Sequence, residues 1–298
     1  MKALTGGGLT LEDVRAVAEG LPVTLDPGAA AAVDRARVMI EKSVEAGEPI
    51  YGVTTGFGRL AEVVISPDER AQLQVNLVRS HASGVGKPLD EGTVRAVMLL
   101  RANALAGGHS GCRRVVVERI VDLLNAGIHP RIPEVGSVGA SGDLAPLAHV
   151  ALALMGEGEV LDGNGTRPAA EALAEAGIEP LTLRAKEGLA LINGTQATTG
   201  LGILTLLGAE YALEAAECAG ALTLEGLRGT PEAFRAEVHR VRPHPGQMES
   251  GRRLAALLAG SEIRESHRYG DPRVQDAYSL RCMPQVHGAA RQALTYVR

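Results

Sequence analysis

Segments with helical periodicity alternate with glycine and proline along almost the whole chain of 298 residues. Asp26-Pro27 predicts a helix start, because aspartate caps helices well and proline is tolerated at the first helical position. Apolar residues then recur on one face, at Ala29, Val33, Ala36, Ile40 and Val44, until Gly47 predicts the end. From Thr198 to about Leu227 the chain has no proline, which predicts one long helix. These patterns predict a mainly α fold.

The composition agrees with helices that pack closely. Aromatic residues make up only 2% of the chain, so Ala, Leu and Val must form the core. Such a core favours packed helices over a β-sandwich, which depends on aromatic and β-branched residues. Residues 160–166 contain Asp162-Gly163 and predict the one small hairpin. Residues 129–142 are interrupted by proline and glycine, so we expect no regular element there.

Charge and cysteine usage exclude several functional classes. The formal net charge is −5 and no basic stripe is present, which argues against nucleic-acid binding. The three cysteines are widely spaced and form no C-x-x-C pair, which argues against a disulfide framework or a zinc site. The start of the chain lacks the pattern of a signal peptide. The uncharged run 188–209 contains several polar residues, so we expect a buried helix rather than a membrane span.

The tripeptide Ala140-Ser141-Gly142 has unusual chemical potential. Gly142 has no Cβ, so in a tight bend its amide nitrogen can approach the carbonyl carbon of Ala140. Loss of water would close a five-membered ring, and loss of the Ser141 hydroxyl would leave an electrophilic methylene. The surrounding fold would have to hold the strain. By itself the tripeptide is better explained as a turn that caps a helix starting near Asp143.

The flanking residues favour the chemical interpretation. The segment GSVGASGDLAPLAH, residues 136–149, closely resembles the signature of the ammonia-lyases that use a methylidene-imidazolone group, a family that includes related aminomutases. Five further segments resemble blocks of this family in the same order: YGVTTGFG (51–58), NLVRSHASGVG (76–86), GLALINGTQ (188–196), RPHPGQ (242–247) and QDAYSLRCMPQVHG (275–288). The resemblance covers essentially the whole chain.

The resemblance implies a carbon–nitrogen lyase that removes ammonia from L-histidine without hydrolysis and forms trans-urocanate. The cofactor implied is the methylidene-imidazolone made autocatalytically from Ala140, Ser141 and Gly142, with no metal or nucleotide. It also implies that Tyr51 removes the β-hydrogen as a general base and that Tyr278 shares or exchanges this acid/base role. The alternative for each is a structural tyrosine with a hydrogen-bonded hydroxyl.

Five residues are implied to bind the substrate. Arg281 would hold the substrate carboxylate through two hydrogen bonds. Asn193 and Gln275 would bind the ring carbonyl or that carboxylate. His81, preceded by Ser80, would select histidine, because imidazoles can exchange hydrogen bonds. The alternatives are a surface arginine, capping amides and a structural histidine at a helix end.

The resemblance also implies an architecture. Residues 1–195 would form an N-terminal active-site domain with glycine-rich loops, and residues 196–298 would form the first part of a central long-helix bundle of the ammonia-lyase/aspartase type. A cytoplasmic homotetramer is implied, with active sites that combine residues from several subunits.

Members of the family are substantially longer and supply an active-site glutamate from their C-terminal part. We therefore expect a C-terminally shortened chain, with apolar faces of the bundle helices left exposed or paired between copies. Two alternative functions stay open: a related aromatic amino acid ammonia-lyase or aminomutase, and an inactive helical scaffold.

Overall fold

The computed structural model describes residues 1–58, 61–163 and 165–298 and is mainly helical. The chain forms two compact units, Met1–Leu204 and Thr205–Arg298, and the division falls inside its longest helix. The predicted functional division between residues 195 and 196 stays a prediction. Within the described residues, no helix is both long and apolar enough to cross a bilayer.

Over its described residues, the first unit contains eight complete α-helices. They are α1 (Leu11–Ala18), α2 (Pro27–Ala46), α3 (Arg70–His81), α4 (Glu91–Ala106), α5 (Arg114–Ala126), α6 (Leu144–Leu154), α7 (Ala169–Glu175) and α8 (Glu187–Ile192). Helix α9 (Gln196–Gly226) begins in this unit. The α2 prediction is confirmed at both ends: the carboxylate of Asp26 accepts hydrogen bonds from the backbone of Gly28 and Ala29, and Gly47 takes a left-handed conformation.

Helix α4 occupies the middle of the first unit's core and packs against α1, α2 and α5. Eight of its apolar residues are completely buried: Val94, Ala96, Val97, Met98, Leu99, Ala102, Leu105 and Ala106. Two arginines of the same helix, Arg95 and Arg101, are also buried. Because α4 is largely buried, its buried polar side chains need hydrogen-bond partners inside the protein.

The first unit also contains three pairs of short strands. They are β1 (Lys2–Leu4) with β2 (Val23–Leu25), β3 (Val85–Pro88) with β4 (Pro133–Val135), and β5 (Glu159–Asp162) with β6 (Gly165–Pro168). The last pair confirms the predicted hairpin. The other two pairs are not hairpins, because β1 and β2 are parallel and β3 and β4 are far apart in the chain. Strand β4, however, lies where no regular element was expected. Strands of three residues carry no clear alternation, and β1–β2 and β3–β4 form between distant segments.

The β3–β4 pair matters for function because of what its strands connect. Strand β3 follows the end of α3, and β4 leads into the loop that contains the Ala-Ser-Gly tripeptide. The pairing is antiparallel and places Val85 opposite Val135. The end of α3 and the start of the tripeptide loop are therefore neighbours.

The second unit contains the rest of α9 and five further helices: α10 (Ala236–Arg240), α11 (Pro245–Leu257), α12 (Glu262–Ser266), α13 (Tyr278–Arg281) and α14 (Met283–Val297). Its small core includes Leu224, Phe234 and Leu254. Helices α11 and α14 approach closely where Gly246 faces Gly288. There is no room for a side chain at this point, since a Cβ added to either glycine would overlap the backbone of the opposite helix.

Candidate active site

The tripeptide lies on a continuous bend that runs from Gly139 to Gly142, with the side chains of Ala140 and Ser141 exposed. Gly142 has φ +105°, a conformation that side chains disfavour. A Cβ on Gly142 would overlap the carbonyl of Gly194, so only glycine fits. This tight, glycine-dependent bend fits the predicted ring closure, which requires the Gly142 nitrogen to approach the preceding residues.

Asp143, the residue after the tripeptide, anchors the bend. Its side chain is 1% exposed and one oxygen accepts hydrogen bonds from the hydroxyls of Ser137 and Thr198, both at 2.7 Å. The other oxygen accepts from the Thr198 backbone at 2.7 Å, and the Asp143 amide donates to the Gly194 carbonyl at 2.6 Å. The tripeptide is thus held at its C-terminal side by α9 and the turn before it.

The charge state of Asp143 follows from these contacts. Burial by itself would raise the pKa of this carboxyl group, but the hydrogen bonds from Thr198 and Ser137 outweigh burial, and the pKa lies below its usual value. The group is therefore a carboxylate at neutral pH. The alternative expectation was a simple turn capping α6. The Asp143 side chain makes no capping hydrogen bond to that helix, since both oxygens face Ser137 and Thr198.

The turn from Asn193 to Gln196 forms the wall against which Gly142 packs. The side chain of Asn193 is exposed, whereas its backbone carbonyl accepts a hydrogen bond from Arg101 at 3.0 Å. The same guanidinium nitrogen donates to the Gln196 side-chain oxygen at 2.9 Å. Sequence reasoning did not single out Arg101 or Asp143. The position of Asp143 directly after the tripeptide was the one available signal.

Ser80 and His81 lie at the C-terminal end of α3. The Nδ1 atom of His81 lies 2.8 Å from the Leu77 carbonyl, which can only accept, so Nδ1 carries the hydrogen. In this tautomer Nε2 is the acceptor of the ring. The Ser80 hydroxyl donates to the same carbonyl at 2.9 Å.

A hydrogen bond links the end of α3 to α6, the helix that follows the tripeptide. The Gly84 amide donates to Nε2 of His149 at 3.3 Å. Burial, and to a smaller extent the charge of Arg131, lower the pKa of His149 and so favour the neutral ring that accepts this bond. In addition, Gly136 packs closely against Gly84. A Cβ added to Gly136 would lie 3.2 Å from the Cα atom of Gly84. The structure thus brings the Ser80-His81 segment beside the tripeptide loop.

Tyr51 lies on the predicted glycine-rich loop, residues 51–58. Residues 59 and 60, which follow the loop, lie outside the described residues. The loop packs closely against α8: a Cβ added to Gly52 would lie only 2.8 Å from the Leu189 side chain. The Tyr51 hydroxyl accepts a hydrogen bond from the Gly58 amide at 3.4 Å, and its ring meets Phe57 edge-on. Tyr51 is 53% exposed, so part of its side chain is accessible to a ligand.

The second unit gathers the three remaining candidates, Gln275, Tyr278 and Arg281. The Arg281 guanidinium lies 5.4 Å from the centre of the Tyr278 ring, and its Nε donates to the Asp276 carbonyl at 3.0 Å. With the Gln275 amide oriented to satisfy both groups, its oxygen accepts from Arg281 at 2.8 Å. Tyr278 is 71% exposed. These contacts orient an arginine whose remaining donors can bind an anion.

Comparisons with known proteins give the family. The model of the aromatic amino acid lyases matches residues 9–298. A histidine ammonia-lyase from Koribacter versatilis is 55% identical over 100% of this chain and 58% of its own length. The chain thus spans less than two thirds of the relatives that it matches.

Two solved structures share the fold and confirm the mainly helical prediction. A tyrosine aminomutase from Streptomyces globisporus has a TM-score of 0.90 at 43% identity, covering 99% of this chain and 59% of its own. A histidine ammonia-lyase from Trypanosoma cruzi has a TM-score of 0.87 at 40% identity, covering 99% and 55%. With a family model matched over nearly its whole length, the chain belongs to the aromatic amino acid lyase family.

Proposed function

We propose that this chain carries the active-site machinery of a histidine ammonia-lyase, which converts L-histidine to trans-urocanate and ammonia. The observation that carries the proposal is the Ala140-Ser141-Gly142 bend, in which only glycine fits at position 142. The histidine ammonia-lyases that resemble the chain along its whole length support the choice of reaction.

The reaction is difficult because the β-hydrogen of histidine is weakly acidic and its amine is a poor leaving group. When formed from Ala140, Ser141 and Gly142, a methylidene-imidazolone supplies an electrophile that no unmodified side chain offers. The buried Asp143 carboxylate and the turn at Gly194 are the groups that would hold it in place.

Tyr51 is the proposed base for the β-hydrogen, and Tyr278 is proposed to share the acid/base role. The exposure of the Tyr51 side chain supports its part, because a base must reach the substrate. Arg281 is proposed to bind the substrate carboxylate, with Gln275 holding its guanidinium and Asn193 supplying a further amide. A planar guanidinium suits a carboxylate because two N–H groups can donate in parallel.

Ser80 and His81 are proposed to select the imidazole of the substrate. Since Nδ1 of His81 donates to Leu77, its Nε2 can accept a hydrogen bond from the N–H of a substrate imidazole. A benzene or phenol ring offers no such ring N–H. The discrimination therefore comes from one hydrogen bond in a partly buried position.

The wider setting is also a proposal: a cytoplasmic homotetramer that binds neither nucleic acid nor membrane and uses no metal or nucleotide. Exposed apolar side chains on α9, including Tyr211 and Leu222, support association between copies.

The test has two stages. Intact-mass spectrometry of the purified chain first asks whether two waters have been lost. The chain is then incubated with L-histidine, and urocanate is followed by its ultraviolet absorbance. A folded chain that has lost two waters but turns over no histidine contradicts the proposal.

An aromatic aminomutase is the second candidate, and it is favoured by the similarity to the tyrosine aminomutase structure. A substrate panel separates the two functions. Product from tyrosine or phenylalanine, with none from histidine, would replace the first proposal by the second. His81→Leu, which removes the ring acceptor, should reduce histidine turnover far more than turnover of an aromatic substrate.

A further inference from the structure

Arg101 is a buried cation without a buried anion. It lies on α4 and is 4% exposed. Within the part of the chain that the structure describes, no carboxylate forms an ion pair with it, and its Nε atom is buried without a hydrogen-bond partner. Burial lowers the pKa of this guanidinium to about 10, which leaves it charged at neutral pH. A buried charge without a carboxylate partner opposes folding, so a role other than stability would account for the presence of Arg101.

The partners of Arg101 suggest that role. Its Nη1 donates to the Asn193 carbonyl at 3.0 Å and to the Gln196 side chain at 2.9 Å, so one nitrogen ties together both ends of a four-residue turn. Inside that turn, the Gly194 carbonyl accepts a hydrogen bond from the Asp143 amide at 2.6 Å. The same carbonyl lies so close to Gly142 that a Cβ there would overlap it. Arg101 thus contacts the tripeptide only through the turn.

We infer that Arg101 is a positioning residue for ring closure in Ala140-Ser141-Gly142, an inference that rests on the proposed function. In ring closure the lone pair of the Gly142 nitrogen forms a bond to the carbonyl carbon of Ala140. The carbonyl oxygen leaves as water with the amide hydrogens of Gly142 and Ser141, and a C=N bond forms. In a second step the Ser141 hydroxyl and the α-hydrogen of Ser141 leave together as water, which produces the exocyclic methylene.

Arg101 touches none of these reacting atoms. Its effect is to hold the turn at Gly194 in one place, so that the bend at Gly142 cannot relax away from the carbonyl of Ala140. Small displacements matter for such a reaction, because a misplacement of about 1 Å can slow a positioned reaction by about 100-fold. A cation also binds two oxygen acceptors more strongly than a neutral donor does.

The experiment compares variants of the whole chain made by timed cell-free synthesis, with intact mass and thermal unfolding measured on each. Arg101→Met keeps the length of the side chain but removes its charge and donors. Arg95→Met is the matched control, because Arg95 is a buried arginine of the same helix whose guanidinium binds the carbonyls of Val17 and Leu124 instead.

We expect water loss in Arg101→Met to slow by about 100-fold. Both variants should lose some stability, because each leaves buried acceptors without their donor, but Arg95→Met should lose two waters at the normal rate. A purely structural role for Arg101 predicts lower stability together with normal water loss, as in Arg95→Met.

Normal water loss in folded Arg101→Met overturns the inference. If that variant does not fold, Arg101→Lys decides the matter, because lysine keeps the charge but cannot present the same rigid donor geometry. Slow water loss in folded Arg101→Lys supports the inference, and a normal rate overturns it. A wild-type chain that keeps its full mass overturns the proposed function itself, together with this inference, and is thereby distinguished from a failure of Arg101 alone.

Discussion

At the scale of single residues, the conformation at Gly142 is the most demanding requirement of the candidate site. Gly47 shares a left-handed φ but has open space around its Cα, whereas Gly142 packs on Gly194. The two glycines therefore separate the cost of the backbone conformation from the cost of a steric overlap.

We predict that Gly142→Ala abolishes water loss, whereas Gly47→Ala leaves it normal. A left-handed alanine costs about 1 kcal/mol at either position, and the overlap with Gly194 adds to this cost only at position 142. Intact mass and urea unfolding measure the two effects. An alanine at position 142 that still permits the loss of two waters would contradict the steric argument.

A second residue-scale prediction concerns Asp143 and pH. Because its pKa is lowered in the folded chain, the carboxylate stabilises the fold at pH values above its ordinary pKa of about 4, and the contribution is lost as the pH falls through the lower, folded value. At pH 7, Asp143→Asn should lower the free energy of unfolding by about 2 kcal/mol, since its amide group must face donors from Thr198 or Ser137.

The difference between wild type and Asp143→Asn should shrink as the pH falls below about 4, because the carboxyl of the unfolded chain then takes up a proton, and it should be lost once the folded carboxyl is protonated at its lower pKa. Urea unfolding followed by circular dichroism across this range measures it. A difference in unfolding free energy that grows toward low pH would contradict the lowered pKa of Asp143 and the stabilising role of its carboxylate.

At the scale of elements, the site is assembled by contacts between segments far apart in the chain. The β3–β4 pair and the Gly84–His149 hydrogen bond bring the end of α3 beside the tripeptide loop. The start of α8 is fixed differently, through Glu187. This residue is completely buried and accepts from Arg113 Nε and Nη2, both at 2.7 Å, where α5 begins.

We predict that Glu187→Gln lowers the free energy of unfolding by about 3 kcal/mol, because breaking a buried pair leaves the Arg113 charge uncompensated. The matched control is Arg114→Ala, which removes an exposed ion pair with Asp34 and should cost at most about 1 kcal/mol. Urea unfolding measures both, and equal losses would contradict the distinction between buried and exposed pairs.

At the scale of the whole molecule, α9 leaves a row of small and apolar side chains exposed. The row consists of Tyr211, Ala215, Cys218 and Leu222, which are spaced by four, three and four residues and so lie on one face of the helix. Exposed faces of this kind are typical of surfaces that associate with another helix.

We predict that the chain self-associates through this row and that Leu222→Glu weakens the association by at least about tenfold, because a carboxylate cannot be buried there without a partner. Light scattering and sedimentation across a concentration series measure it. Lys42→Gln, on α2, changes the net charge by the same one unit and serves as the control. A chain that stays monomeric at all concentrations would contradict the proposed homotetramer.

The helical pattern was readable from sequence because it depends on local chemistry. Capping by Asp26, the helix end at Gly47 and the long proline-free helix each follow from a few neighbouring residues. The family resemblance likewise required only the order of short segments, and it directed attention to Ala140, Ser141 and Gly142. The helical class, the family and the residues worth testing could therefore be predicted from local sequence patterns.

The surroundings of those residues depend on how the chain packs and could not be predicted from sequence. Strand β4 forms because β3 lies beside it, and neither strand is long enough to show a pattern. Asp143 was expected at a helix start, yet its carboxylate is held by Thr198, which lies 55 residues further along the chain. In the sequence, Arg101 is one of many arginines. In the folded chain it is buried away from solvent, and its guanidinium donates to the turn at Asn193. Burial and long-range contact are properties of the packed chain, so no local pattern could contain them.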